Sequence, residues 1–175
     1  MKEFKKYFFL IIYKYFAKHL PPSTSRIGGR SARKIRGFCC RFIFKKIGSN
    51  VNIERGASFE RGFGIVIGNN SGIGINCTVP DDIEIGEDVL MGPQCYILDR
   101  NHIVDRTDIP MRGRGSIRKK TIIENDVWIG RQCLFTPGRI VRTGTIIAAG
   151  TVLTKDFPEY SIVGGNPSKI LKSRK

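Results

Sequence analysis

A period of six constrains this chain more than any other feature. Aliphatic, Met or Phe residues stand at Ile47, Ile53 and Phe59, then after a two-residue slip at Ile67, Ile73, Val79, Ile85, Met91 and Ile97. After a longer interruption they resume in step at Ile123, Ile129, Phe135, Val141, Ile147 and Leu153, fifteen hexads in all. A helix cannot keep every sixth residue on one face, but a strand of period two that turns every six residues can. Each hexad therefore reads as one short strand and one corner, with the lead side chain inward. Four positions after the lead the residue is mostly small: Val51, Ala57, Ser71, Cys77, Val89, Cys95, Val127, Cys133, Thr145 and Thr151. Directly after the lead stand Gly48, Gly68, Gly74, Gly86, Gly92 and Gly130. Three strands per coil predict about five coils of a triangular parallel β-helix, a mainly β fold.

Charge divides the chain in two. Residues 1–46 carry 13 Lys or Arg and one acid, Glu3, whereas residues 47–175 carry 17 basic and 14 acidic side chains. The basic character thus belongs to the first quarter, and the near-neutral remainder argues against a protein that wraps nucleic acid. The organisation expected is a basic helical segment over 1–46, a β-helix over 47–158 with an inserted loop at 103–122, and a tail over 159–175. Within the basic segment two helices are expected, about 3–19, stopped by Pro21 and Pro22, and about 31–46. In the second, Ile35, Phe38, Cys39, Phe42 and Ile43 form an apolar stripe opposite Arg33, Lys34, Arg41 and Lys45. Such a stripe flanked by cations suits an anionic bilayer surface, or packing on the main domain or a sister subunit. No stretch approaches the roughly 18 apolar residues of a spanning helix. The opening apolar run is cut by Lys14 and Lys18 and precedes no small-residue cleavage site, so the expectation is a cytoplasmic protein with peripheral contact at the inner face of the membrane. Five cysteines (39, 40, 77, 95, 133) without ligand spacing, and two histidines, point to buried thiols and no metal.

The hexad that starts at Ile97 ends on His102, and 20 residues (103–122) pass before the repeat resumes. A solenoid accepts an insertion at a corner, and such loops commonly carry function. His102, the one histidine of the repeat region, stands at the mouth of the loop. A neutral imidazole can act as a base near pH 7.

The hexads resemble the left-handed β-helix acyltransferases of the hexapeptide-repeat superfamily across about residues 47–170. Asn101-His102-x-x-Asp105, Pro110-Met111 and Ile123-Glu124-Asn125-Asp126-Val127-Trp128-Ile129-Gly130 resemble the sugar and polysaccharide O-acetyltransferase branch. The left hand, acetyl-CoA as co-substrate and a homotrimer are implied by that resemblance. So is the role of His102 as general base for a saccharide hydroxyl. In the galactoside enzymes an asparagine one coil earlier lies near the reacting centre. Asn76 is the candidate here, and an asparagine capping a solenoid corner is the competing reading. Asn101, Asp105 and Met111 are the expected acceptor contacts. The block Trp128-Ile129-Gly130, Ala148-Ala149-Gly150-Thr151-Val152-Leu153-Thr154-Lys155 and Ile162-Val163-Gly164-Gly165-Asn166-Pro167-Ser168-Lys169 is similar to the family's coenzyme A groove. Trp128, Gly130, the amides of Arg131 and Ala149, Thr154, Lys155, Lys169 and Lys172 are the implied contacts, with Arg174 and Lys175 as further cations for three phosphates.

Arg139 and Arg142 depart from the family pattern, which carries an aliphatic residue and a glycine there; extra phosphate or acceptor contacts are one explanation, local distortion the other. The implied activity is O-acetylation of a saccharide in capsule, O-antigen or other surface-polysaccharide biosynthesis. The alternatives are a small acceptor (a nucleotide-linked amino sugar, an antibiotic or serine) and, ranked below it, a basic non-catalytic scaffold or nucleic-acid binder.

Overall fold

The computed structural model describes residues 2–175. Two helices come first, α1 (Lys2–Tyr15) and α2 (Gly29–Ile43), with a 3-10 turn at Ala17–His19 between them. The solenoid then winds through strands of mostly two residues. Its first coil holds β1 (Lys46–Ile47) and β2 (Asn52–Ile53), its second β3 (Val66–Ile67) and β4 (Gly72–Ile73). The third holds β5 (Glu84–Ile85), β6 (Leu90–Met91) and β7 (Tyr96–Ile97). An inserted hairpin follows, β8 (Arg100–His102) and β9 (Ser116–Arg118). Coil four holds β10 (Ile122–Ile123), β11 (Trp128–Ile129) and β12 (Leu134–Phe135), and coil five β13 (Ile140–Val141), β14 (Ile146–Ile147) and β15 (Val152–Leu153). The chain ends in β16 (Ser161–Gly164) and β17 (Lys169–Ser173).

Three parallel faces result. One stacks β1-β3-β5-β10-β13; a second stacks β2-β4 and then β6-β11-β14-β16; the third stacks Ser58, Thr78, β7, β12 and β15. Lead sits on lead throughout: Ile47 on Ile67, Ile67 on Ile85, Ile85 on Ile123, Ile123 on Val141. The slip and the insertion therefore fall at corners and leave the stack intact. Nearly all the lead side chains are buried and form one continuous core.

The solenoid makes about six turns rather than five, because β16 adds a rung to β14 beyond the last hexad, pairing Ile147 with Val163. Residues 159–175 include a hairpin, with β17 antiparallel to β16.

Corners have their own chemistry. Three positions after a lead, the residue has positive φ at Asn50, Asn70, Asn76, Asp88, Gln94, Asp126 and Gln132, and glycine fills the equivalent sites at 56, 138, 144 and 150. Short amide and carboxylate side chains tolerate that left-handed region. The glycine directly after the lead answers a different need. A Cβ on Gly68 would lie 2.6 Å from the carbonyl carbon of Gly86, and one on Gly92 2.7 Å from the amide of Arg131, so these glycines let adjacent coils approach. In the small-residue slot, the thiols of Cys77, Cys95 and Cys133 donate to the carbonyls of Gly92, Gly130 and Ala148 in the next coil. All five cysteines are buried free thiols.

The helices cap the open end of the core. Leu10 and Tyr13 of α1 and Cys39, Cys40 and Ile43 of α2 are buried in it, and the Tyr13 hydroxyl donates to the Ala57 carbonyl at 2.8 Å. Two expectations change here. α1 stops at Tyr15 and α2 at Ile43, since Phe44 is already extended and leads into β1. The stripe that α2 buries is Ala32, Arg36, Cys39, Cys40 and Ile43, while Ile35, Phe38 and Phe42 stay largely exposed. The reason is Arg36. Its fully buried guanidinium donates to the carbonyls of Ile53 (2.5 Å) and Pro21 (2.8 Å) and pairs with Glu54 at 3.4 Å, which fixes which face turns inward.

Candidate functional site

His102 ends β8, opposite Ser116 in the hairpin ladder. It is exposed, and its Nδ1 lies 3.2 Å from the Gly115 carbonyl. A carbonyl only accepts, so Nδ1 is the donor, and in the neutral ring Nε2 is then the nitrogen that can accept a proton. The hairpin is anchored to the solenoid by charge. Arg118 of β9 pairs with Asp81, with Asp82 at 3.3 Å and with Asp99 at 3.4 Å. The hydrogen bond from Arg100 to the Asp99 carboxylate, reinforced by the charges of Arg100 and Arg118, holds that carboxyl below its usual range. Beneath the hairpin root lies a cleft of about 350 Å³ lined by Tyr13, Lys14, Lys18, Ser58, Thr78, Tyr96 and Asp99, among others. Its wall at Asp99 is three residues from His102. Sequence reasoning misses Asp81, Asp82, Asp99 and Arg118 because their pairing spans up to 37 positions; the adjacent acids Asp81-Asp82 are the one available signal.

Asn101, Asp105 and Met111 are exposed and all lie on the inserted hairpin, Asn101 opposite Ile117 and Met111 opening a 3-10 turn. Asn76 is an exposed left-handed corner residue whose amide bonds to the Arg55 carbonyl. It belongs to the same series as Asn50 and Asn70, and no hydrogen bond among the described residues joins it to His102.

Of the residues expected at the coenzyme groove, Trp128, Gly130, Arg131 and Ala149 lie along the edge between the second and third faces, Thr154 and Lys155 follow β15, and Lys169 and Lys172 lie on β17. Trp128 is 55% exposed, and a Cβ on Gly130 would press on the backbone of Ala148 and Ala149. The backbone amides of Arg131 and Ala149 meet no acceptor among the described residues. Thr154 donates its amide to Ser168, and the Lys155 ammonium sits 5.6 Å over the Phe157 ring. Lys169 and Lys172 are exposed on β17. Unpaired amides beside exposed lysines fit a phosphorylated, amide-bearing ligand. Arg174 and Lys175 are engaged otherwise, Arg174 with Asp126 and the Gly144 carbonyl, Lys175 over the Tyr160 ring. Arg139 donates to the Thr154 carbonyl and pairs with Asp156, and Arg142 pairs with Glu124. Both arginines thus bind neighbouring coils of their own chain.

A parallel solenoid of hexads with an inserted hairpin defines the hexapeptide-repeat class. The family model "Bacterial transferase hexapeptide (six repeats)" matches residues 64–99. A galactoside acetyltransferase solved in complex with coenzyme A superposes with a TM-score of 0.80 at 25% identity, covering 99% of this chain and 82% of that one. A hexapeptide-repeat acetyltransferase of Vibrio cholerae, complexed with acetyl coenzyme A, gives 0.75 at 26% identity, with 98% and 86% covered. Among curated proteins, a chloramphenicol acetyltransferase of Agrobacterium fabrum is 46% identical over 54 residues, 31% of this chain and 26% of that protein. The chain thus spans little more than a quarter of the length of that curated relative. The chain carries the hexapeptide repeat and is similar over almost its whole length to solved acetyltransferases of that kind.

Proposed function

We propose that the protein is an acetyl-CoA-dependent O-acetyltransferase acting on a saccharide hydroxyl, as a homotrimer. The observation that carries this reading is exposed His102 at the root of the inserted hairpin, its Nδ1 tied to the Gly115 carbonyl so that Nε2 of the neutral ring can act as the base. Acetyl-CoA supplies the activated acyl group. Nε2 of His102 takes the hydroxyl proton as the sugar oxygen attacks the thioester carbonyl, and returns it to the departing thiol. The free amides of Arg131 and Ala149 and the ammonium groups of Lys155, Lys169 and Lys172 hold the coenzyme, with Trp128, Gly130 and Thr154 lining its groove. Asn101, Asp105 and Met111 face the acceptor from the hairpin. Asn76 is the weaker of the two catalytic candidates, given its corner geometry.

The acceptor in this reading is a capsule, O-antigen or similar surface-polysaccharide intermediate at the inner face of the membrane. It is supported by the basic N-terminal segment and by the likeness to a galactoside acetyltransferase over almost the whole chain. A small xenobiotic acceptor is the second reading, favoured by the 54-residue likeness to a chloramphenicol acetyltransferase. Calorimetry with acetyl-CoA should show binding that weakens in Lys155→Ala and Lys169→Ala. Thiol release with a panel of sugars and with chloramphenicol then separates the two acceptors. His102→Ala should lower turnover roughly 10²–10⁴-fold at unchanged acetyl-CoA affinity. Full turnover in His102→Ala, or no acetyl-CoA binding by the folded wild type, refutes the proposal.

A further inference from the structure

The outer surface of the helical cap serves none of the chemistry above. On α1, Phe4, Phe8, Ile11 and Tyr15 recur at one helical spacing and are 76, 51, 58 and 82% exposed. The apolar surface continues across the seam between the helices. Phe8 packs edge-on against Phe9, and Phe9 stacks on Phe42 at 4.1 Å and meets Phe38 edge-on at 5.7 Å. Phe38 in turn lines a cavity of about 430 Å³ with Arg30, Arg33, Lys34, Arg41, Ile47 and Val51. That cavity holds four cations and no acid. Arg33 is oriented by bonds to the carbonyl and side chain of Asn50. Arg30, Lys34 and Arg41 have no ion-pair or hydrogen-bond partner among the described residues. Of the 13 cations in residues 1–46, Arg36 is the one that is ion-paired among those described.

Exposed aromatics leading into an unneutralised cationic cavity call for an occupant that is apolar on one side and anionic on the other. A second copy of the same face would bring two strongly positive segments together and leave the charge uncompensated. Nor is any described helix long and apolar enough to cross a membrane. We propose that the cap docks on an anionic bilayer. Phe4, Phe8, Ile11, Phe38 and Phe42 enter the interfacial layer, and the Arg30–Arg33–Lys34–Arg41 cavity seats a lipid headgroup phosphate. This specifies the surface behind the membrane-side location proposed above and is independent of the acyl chemistry.

The test is co-sedimentation of the full chain with vesicles of phosphatidylglycerol and phosphatidylethanolamine, against vesicles of phosphatidylcholine alone. Binding to the anionic vesicles is expected, and 0.5 M salt should weaken it. Lys34→Gln/Arg41→Gln should reduce partitioning roughly 30-fold, two cations at the surface being removed. Phe4→Ser/Phe8→Ser should reduce it roughly tenfold or more. Both double variants replace exposed side chains, so wild-type melting temperature and oligomeric mass are expected of them. His102→Ala should pellet like wild type, which separates failure of this inference from failure of the catalytic reading. Equal binding to neutral vesicles, or none to anionic ones, overturns the proposal. Release by millimolar inorganic phosphate at constant ionic strength would assign the cavity to free phosphate and overturn it. A drop in oligomeric mass in Phe4→Ser/Phe8→Ser would make the face a contact between copies and overturn it too. So would tighter binding to duplex DNA than to vesicles.

Discussion

Arg36 shows how one residue joins two differently built parts. Its guanidinium is fully buried, takes two carbonyls from segments 15 and 17 positions away, and faces the Glu54 carboxylate. Removing one partner of such a pair leaves the other uncompensated, a loss of about 3–5 kcal/mol. Arg36→Ala should therefore lower the melting temperature strongly and make Tyr13 and Cys40 accessible, which thermal unfolding and thiol labelling would report. Burial acts to raise the Glu54 carboxyl, but hydrogen bonds from Ser23, Asn52 and the Arg55 amide outweigh it and hold the group below its ordinary value. A carboxylate so depressed contributes stability above its unfolded value, near pH 4, and the contribution is lost as pH falls through the lower folded value. Glu54→Gln should thus be less stable than wild type at pH 7, and the gap should close as melting curves are taken toward pH 3. None of this is legible in the sequence. An arginine on a helix is usually solvated, and its partners here lie in segments that only the fold brings together.

At the scale of elements, legibility follows repetition. The lead position shows plainly because every coil demands the same apolar side chain in the same place. The corner position, three residues on, is shared among Asn, Asp, Gln and Gly, so the requirement is conformational and no residue type announces it. This is why Asn76 reads as catalytic in isolation and as a turn residue in its series. The hairpin of β8 and β9 occurs once and has no period to betray its anchors. On its return strand β9, Arg118 is the residue that pairs with Asp81, Asp82 and Asp99, whereas β8 holds Asp99 through Arg100 and joins directly to the last strand of its coil. Arg118→Gln should therefore free the return strand and displace Gly115 from His102. Turnover is expected to fall about tenfold or more while acetyl-CoA affinity holds, given the cost of losing orientation. Steady-state kinetics beside calorimetry would check it. A matching loss of acetyl-CoA affinity would instead place the hairpin in the coenzyme groove.

The whole molecule leaves one edge unfinished. Leu90 and Trp128 project from the second face, and Tyr96 and Leu134 from the third, all exposed on either side of the corners at 92–94 and 130–132. A rigid stack of coils cannot fold that edge inward, because every rung repeats the same outward positions. In the homotrimer proposed above another chain would cover it, and the unpaired amides of Arg131 and Ala149 lie along the same edge. The coenzyme groove and the subunit contact are then one structure, and assembly should be required for binding. Leu90→Glu tests this at a residue outside the proposed coenzyme contacts, one rung from Trp128. Its side chain is 65% exposed in the single chain, so the substitution should leave the circular dichroism of the fold unchanged. In the assembly each copy would bury a charge where about 1.5–3 kcal/mol of apolar burial had been. Sedimentation equilibrium should show three chains per particle for wild type and dissociation at micromolar concentration for Leu90→Glu, with acetyl-CoA binding lost in step. A dissociated Leu90→Glu that binds acetyl-CoA with wild-type affinity would place the whole groove within one chain.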